Sequence, residues 1–208
     1  CMALGTAGFT AMLATLSLED HNVLPDSGPV LVTGASGGVG SIAISLLAKR
    51  HYNVVASTGR IEEQGDYLKR LGASEIIHRE ELSSPSGRPL DSERWAGAID
   101  SVGGETLASI LRQTQYRGSV AACGLAGGAS LPSTVLPFIL RGVNLLGIDS
   151  VMCPSWLRKR AWSRMSEDID LKTLEQLIQV ISLDAVPDAA QQILAGKIRG
   201  RIVVDMSL

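Results

Sequence analysis

The sequence predicts an α/β fold, a doubly wound parallel sheet, and two observations carry that reading. The stretch Val30 to Gly40, VLVTGASGGVG, sets a short apolar strand, a glycine-rich turn and the first turn of a helix end to end. Downstream, short β-branched runs alternate with segments of helical spacing. That β-α-β-α-β order suits a parallel sheet, whose strands need crossover connections that are usually helices.

Composition narrows the classes. The chain has 208 residues, 45% of them hydrophobic, enough for one well-buried domain plus some additional structure. A formal charge of −2 gives no electrostatic basis for a nucleic-acid partner. The cysteines, Cys1, Cys123 and Cys153, and the histidines, His21, His51 and His78, are scattered without paired spacing. Neither a disulfide framework nor a metal site is expected from them, and a reduced, cytoplasmic setting is.

In chain order, Cys1 to Leu18 carries no charge, which raises the question of a membrane span. Gly5, Thr6, Gly8, Thr10, Thr15 and Ser17 interrupt the apolar run, and no basic residues precede it as in a signal peptide. Phe9, Met12, Leu13 and Leu16 share one helical face, so the segment reads as a half-buried helix and no membrane partner is expected. Glu19 to Pro29 is a polar connection. Val30, Leu31 and Val32 then form a strand buried on both faces. Gly34, Gly37 and Gly40 recur every third residue, letting the backbone turn sharply, approach an anion closely and pack the next helix against the strand. Val39, Ile42, Ala43, Leu46 and Leu47 continue at helical spacing, and the free N–H groups at that helix start favour a phosphate.

The second strand, Tyr52 to Ala56, runs into Ser57-Thr58-Gly59-Arg60. A site selective for NAD normally places an acidic side chain there for the ribose 2′-hydroxyl. Two hydroxyls and a guanidinium suit a 2′-phosphate instead, which points to NADPH. A helix over about Glu62–Leu71, stopped by Gly72, leads to a third strand, Ala73–His78. Arg79 to Arg94, crowded with Ser83, Ser84, Pro85, Ser86, Gly87 and Pro89, reads as a surface excursion with a helical turn. Strand four is Gly97–Val102, a helix surrounds Leu107–Leu111, and strand five is Gly118–Cys123. Gly124 to Gly128 follows that strand's carboxyl end and is a candidate wall for the nicotinamide.

Pro132–Leu140 is apolar and Asn144–Ile148 is strand six. Arg158, Lys159, Arg160 and Arg164 then cluster on one helix, suited either to a phosphorylated substrate such as coenzyme A or to a solvated face. Asp170 caps a helix carrying Leu171, Leu174, Leu177, Ile178 and Ile181. A short apolar segment, Ile181–Val186, precedes a helix from Pro187 to near Gly196, and Arg201–Asp205 is a terminal strand. These last elements lack the apolar surface for a core of their own.

The sequence resembles the zinc-free quinone oxidoreductase branch of the medium-chain dehydrogenases/reductases, most closely its NADPH-dependent acrylyl-CoA reductases. The likeness rests on GTAGFTAML at Gly5–Leu13, TGASGGVG at Thr33–Gly40, STGR at Ser57–Arg60 and YLKRLGAS at Tyr67–Ser74. It continues through WAGAIDSVGG at Trp95–Gly104, VAACGLAGG at Val120–Gly128, PFILRGV at Pro137–Val143 and GIDSV at Gly147–Val151. The resemblance implies a Rossmann domain, residues 1–150, with strand order 3-2-1-4-5-6. It implies that residues 151–208 are a remnant of a GroES-like catalytic domain whose N-terminal part is absent from this chain, leaving exposed apolar surface that favours self-association. It also implies hydride transfer from NADPH to the β-carbon of an acrylyl thioester, giving propanoyl-CoA, with little activity from the isolated chain.

Carried over by position, Ser36, Gly37, Gly38 and Val39 would hold the pyrophosphate, and Thr58, Gly59 and Arg60 would meet the 2′-phosphate. Arg79 would be a further adenosine-side contact, and Leu125, Ile139 and Ser150 would lie on the nicotinamide side. The family's asparagine near the final helix is Gly196 here, which removes a side-chain contact. Two enzyme alternatives and one of another class remain to be weighed. A quinone or enone acceptor fits the same branch. A short-chain dehydrogenase fails, because Tyr52, Tyr67 and Tyr116 are followed four residues on by Ala56, Leu71 and Val120 and never by the lysine such enzymes need. A non-catalytic sensor or regulatory module that gains stability or partners when NADPH binds stays open on the sequence.

Overall fold

Six parallel strands make one sheet in the computed structural model, which describes residues 2–83 and 88–208. They are β1 (Val30–Val32), β2 (Val54–Thr58), β3 (Glu75–His78), β4 (Trp95–Asp100), β5 (Thr114–Ala122) and β6 (Asn144–Gly147), in the order 3-2-1-4-5-6. The helices are α1 (Gly5–Asp20), α2 (Gly38–Lys49), α3 (Ile61–Arg70), α4 (Gly104–Gln113), α5 (Leu136–Arg141), α6 (Ser155–Asp168), α7 (Leu171–Leu177) and α8 (Val186–Leu194). A separate parallel pair joins β7 (Ile178–Ile181) to β8 (Arg201–Val204).

Strand alternation sorts the core into two layers. Val30, Val32, Val54, Ala56, Ile99 and Ala121 point to one face, where they meet α1, α2 and α3. Leu31, Val55, Ala98 and Val120 point to the other, against Leu107, Ile110 and Leu111 of α4. The sheet is therefore covered on both faces, which explains why its strands read as continuous apolar runs.

The first helix is buried almost all round, more deeply than one apolar face predicts, from Ala7 to Leu16 without interruption. Its threonines are compatible with that burial because Thr10 and Thr15 donate to the carbonyls of Thr6 and Ala11, at 2.8 and 2.9 Å. Among the described residues no helix is long and apolar enough to cross a membrane. The second strand starts two residues later than the sequence suggests and takes in Ser57 and Thr58. Tyr52 instead turns its hydroxyl to the Val23 carbonyl at 2.8 Å, while Ser57 and Thr58 pair with Ile77 and His78 of β3.

Further boundaries shift for identifiable reasons. The fourth strand begins at Trp95 and stops at Asp100, whose side chain organises the turn beyond it. The fifth begins at Thr114, with an irregularity before Ser119 where Arg117 takes a positive φ of 61°. Ile178 and Ile181, expected on a helix, lie on β7, because the IQVI run pairs with β8. Asp170 does cap α7, accepting from the amides of Lys172 and Thr173. The excursion after β3 opens with a short 3₁₀ turn at Arg79–Leu82, while Ser84, Pro85, Ser86 and Gly87 lie outside the described residues.

Three of the four cations on α6 are engaged within the chain. Arg160 forms a two-pronged pair with Asp20 at 2.6 and 2.7 Å, and Arg164 bonds Asp168 at 2.7 Å and Glu19 at 2.9 Å. The Arg158 guanidinium lies 4.5 Å from the Phe9 ring centroid, and that ring also stacks on Trp162 with centroids 5.8 Å apart. Ala161, Met165 and Leu177 thus share one buried cluster with α1 and α2. Removing the half-buried ring in Trp162→Ala is expected to destabilise the fold by about 2 kcal/mol. Trp156→Ala, at a position 67% exposed, should change stability by less than about 0.5 kcal/mol, and urea unfolding distinguishes the two.

Candidate active site

A cleft of about 810 Å³ opens at the carboxyl ends of β1, β2 and β4. In the strand order 3-2-1-4-5-6 this is where the winding reverses, the crevice in which open α/β sheets bind their ligands. Its floor is stitched from three strand tips. Thr33 donates to the buried Asp100 carboxyl at 2.6 Å and accepts from the Ser101 amide at 3.1 Å. The amides of Val102 and Gly103 point at the same carboxyl, at 3.3 and 2.8 Å, and the Ala35 amide reaches the Ser57 carbonyl.

The glycine turn closes over that floor. The Gly37 amide donates to the Gly34 carbonyl at 2.8 Å, and α2 starts at Gly38 with no side-chain cap, leaving its first amides open to a ligand. A side chain at Gly40 would collide with the backbone of Gly34 and Ala35, so the helix start and the turn touch main chain to main chain. An anion at this end would meet both free N–H groups and the positive helix terminus.

Of the residues singled out in the sequence, Ser36, Thr58, Gly59, Arg60 and Arg79 line the cleft together. Arg79 crosses directly over Gly59, where even a Cβ would come within 2.7 Å of its Nε. Arg60 is partly exposed; its guanidinium donates to the Ile198 carbonyl at 3.3 Å and stands 3.9 Å from Glu63, a loose pair open to solvent. Gly37, Gly38 and Val39 sit at the head of α2 but do not line the cleft wall. Neither do Leu125, Ile139 and Ser150: Leu125 and Ile139 are 66% and 68% exposed. The Gly124–Gly128 loop nevertheless forms part of the wall through Ala126 and Gly127, held there by a 2.7 Å bond from the Gly127 amide to the Val102 carbonyl.

The cleft also contains residues that the sequence reading passed over, Thr33, Val102, Gly103, Glu105, Thr106 and Ala195, together with Gly196, where the resemblance had implied an asparagine. Asp100 beneath them carries no exposed surface, and the available signal was an acidic residue ending an otherwise apolar strand, GAID. Burial pushes its carboxyl above the usual range, against the bonds from Thr33, Gly103 and Val102. Cys123 donates to the Asp100 carbonyl, and burial next to that carboxyl pushes its thiol up to about 11, so it stays protonated at neutral pH. A second recess of about 560 Å³, at the opposite ends of β4 and β5, holds none of the expected cofactor residues.

Because the folded carboxyl of Asp100 holds its proton to higher pH than an unfolded one, stability from this group falls as pH rises from about 3.8 through the folded value. Asp100→Asn removes that slope while leaving the Gly103 amide without an acceptor, a loss of about 1–3 kcal/mol. Urea unfolding from pH 4 upward should show the wild-type advantage over this variant shrinking and then levelling.

Residues 38–169 match the family model described as zinc-binding dehydrogenase. Among the described residues no group of three or more His, Cys, Asp or Glu side chains stands close enough together to hold a metal ion. The chain is 56% identical over 206 residues to acrylyl-CoA reductase AcuI of Ruegeria pomeroyi, covering 99% of this chain and 62% of that one. It is 52% identical to the putative quinone oxidoreductase YhfP of Bacillus subtilis over 99% of this chain and 62% of the relative. The crystal structure of Bacillus subtilis yhfP with NAD bound superposes with a TM-score of 0.93, covering 99% of this chain and 62% of that one. The yhdH oxidoreductase from Salmonella enterica in complex with NADP, 50% identical, superposes with a TM-score of 0.95 at the same coverage. The chain thus spans about 62% of the length of these relatives.

Proposed function

The chain belongs to the zinc-binding dehydrogenase family, within the medium-chain dehydrogenases/reductases, and on that premise we propose that it is the NADPH-binding part of an oxidoreductase that reduces an activated C=C bond. The observation that carries this is the pair of guanidinium side chains, Arg60 and Arg79, brought to one wall of the cleft at the tip of β2. No carboxylate follows that strand within Ser57–Arg60 to claim a ribose 2′-hydroxyl. The Salmonella relative crystallised with NADP supports the same assignment.

In this reading Ser36, Gly37, Gly38 and Val39 hold the pyrophosphate at the head of α2, while Thr58, Gly59, Arg60 and Arg79 hold the 2′-phosphate. The nicotinamide then lies toward the Gly124–Gly128 loop, with Leu125, Ile139 and Ser150 on its side. NADPH, when bound, supplies the hydride. The chain's own residues bind the phosphates, fix the ring's approach and exclude water along the glycine loop.

Acrylyl-CoA is the acceptor best supported, by the 56% identity to the Ruegeria enzyme. A quinone or enone is the second reading, favoured by the similarity to YhfP. Residues 1–150 form the NADP-binding domain in this proposal, and residues 151–208 complete a catalytic domain with other parts of the fold. The scattered, partly buried Cys123 and Cys153 support a reduced, cytoplasmic setting.

Arg60→Ala deletes a charge-assisted contact of about 1.5–3 kcal/mol, so the NADPH dissociation constant should rise roughly ten- to a hundredfold while that for NADH moves less than about twofold. Calorimetry on both cofactors measures this, and equal weakening of the two would refute the 2′-phosphate assignment. Residues 1–208 assayed alone with NADPH and acrylyl-CoA are expected to bind cofactor with negligible turnover, since hydride donor and acceptor must be held in register. Steady-state rates typical of a complete reductase would contradict that.

A further inference from the structure

The segment Ile198–Arg201 leads from the end of α8 into the first residue of β8, and it touches two residues of the cofactor cleft and the head of α2 beside it. The Gly200 amide donates to the Ser36 carbonyl at 2.9 Å. The Ile198 carbonyl accepts from the Arg60 guanidinium at 3.3 Å. The Arg201 side chain lies across Gly38 and Gly5, where a Cβ would meet it at 3.1 and 3.0 Å, and its Nε donates to the Ala3 carbonyl at 3.2 Å.

Two anchors hold this segment in place. Arg199 stacks on the buried Tyr67 ring of α3, with its Cζ 4.9 Å from the centroid. Gly200 has a φ of +60°, and any side chain there would run into the Leu177 carbonyl and approach the Tyr67 hydroxyl. Only glycine passes through this gap, so the spacing of the Arg199-Gly200-Arg201 triplet is dictated by what lies on either side.

We propose that Ile198–Arg201 is a positioning strap for the cofactor: the Ile198 carbonyl aims Arg60 at the 2′-phosphate, and the Gly200 amide fixes the Ser36 turn beneath the pyrophosphate. This rests on the NADPH reading above. Discrimination between NADPH and NADH is then set from outside the sheet that binds the cofactor. A guanidinium held in place by a carbonyl has less freedom to lose on binding, which converts into affinity for the phosphorylated cofactor alone. The contact to Ser36 acts on the pyrophosphate, common to both cofactors.

The test is calorimetric titration of NADPH and NADH into the wild type, Gly200→Ala, Arg199→Ala, and each of these combined with Arg60→Ala, with melting temperatures recorded without cofactor. Gly200→Ala is expected to raise the NADPH dissociation constant by about tenfold and that of NADH by no more than about threefold, and Arg199→Ala to shift the ratio in the same direction by roughly threefold. In the Arg60→Ala background the strap substitutions should affect both cofactors equally, a signature that general loosening of the fold would not give. If Gly200→Ala does not fold, Arg199→Ala decides, because that side chain anchors the segment by stacking on Tyr67 of α3, which is not among the residues lining the cleft. A wild-type NADPH/NADH ratio in the folded variants, or a selective loss that persists without Arg60, overturns the strap alone. Failure of the wild type to bind NADPH removes the cofactor reading, and the strap with it.

Discussion

The bond between Thr33 and the buried Asp100 carboxyl is the constraint on which the site depends. It joins the tips of β1 and β4, the adjacent strands where the winding of the sheet reverses. At that point the crossovers leave to opposite faces, so no helix covers the gap and the strand ends face open space. A carboxyl that collects one hydroxyl and two amides holds the gap at a fixed width. Burial raises this carboxyl above the usual range while three donors point at it, so it serves as a scaffold element of this seam.

Around this seam the chain uses polar contacts mainly to place main chain, and apolar packing to hold the layers. The acidic end of α1, Glu19 and Asp20, would be unfavourable beside the negative pole of its own helix. Arg160 and Arg164 from α6, with Arg50 beyond α2, reverse that sign. These are partly exposed pairs, so their contribution is modest and falls with salt; their role is to fix the angle at which α6 lies along α1. Depth of burial comes instead from the small residues of α1, Ala7, Gly8, Ala11 and Ala14, which let neighbours approach closely.

Much of the sheet was legible in the sequence because its signals are local. A strand buried on both faces announces itself as VLV or GAID, and a glycine turn followed by helical spacing has few other uses. Strand limits were less legible, since Tyr52 belongs by composition to β2 and is drawn out of it by a single bond to Val23. Ser36, Thr58, Gly59, Arg60 and Arg79, expected at the phosphates from the motifs or the resemblance, line one cleft together. Leu125, Ile139 and Ser150 are not among the lining residues, and Leu125 and Ile139 are largely exposed, a placement that no local pattern records. Asp100 and the strap were hidden for a deeper reason. Their partners stand 67 and 138 residues away, and pairing over such distances leaves no periodicity to read.

The burial of α1 on all sides has a consequence for how the molecule is made. Its acidic end is closed by residues that lie 140 and 145 positions later in the chain, Arg160 and Arg164. During synthesis the apolar surface around Phe9 must therefore wait for α6, exposed to other nascent chains and to holding chaperones. A topology so rich in distant contacts folds slowly, and its vulnerability to aggregation lies in that interval rather than in the finished structure.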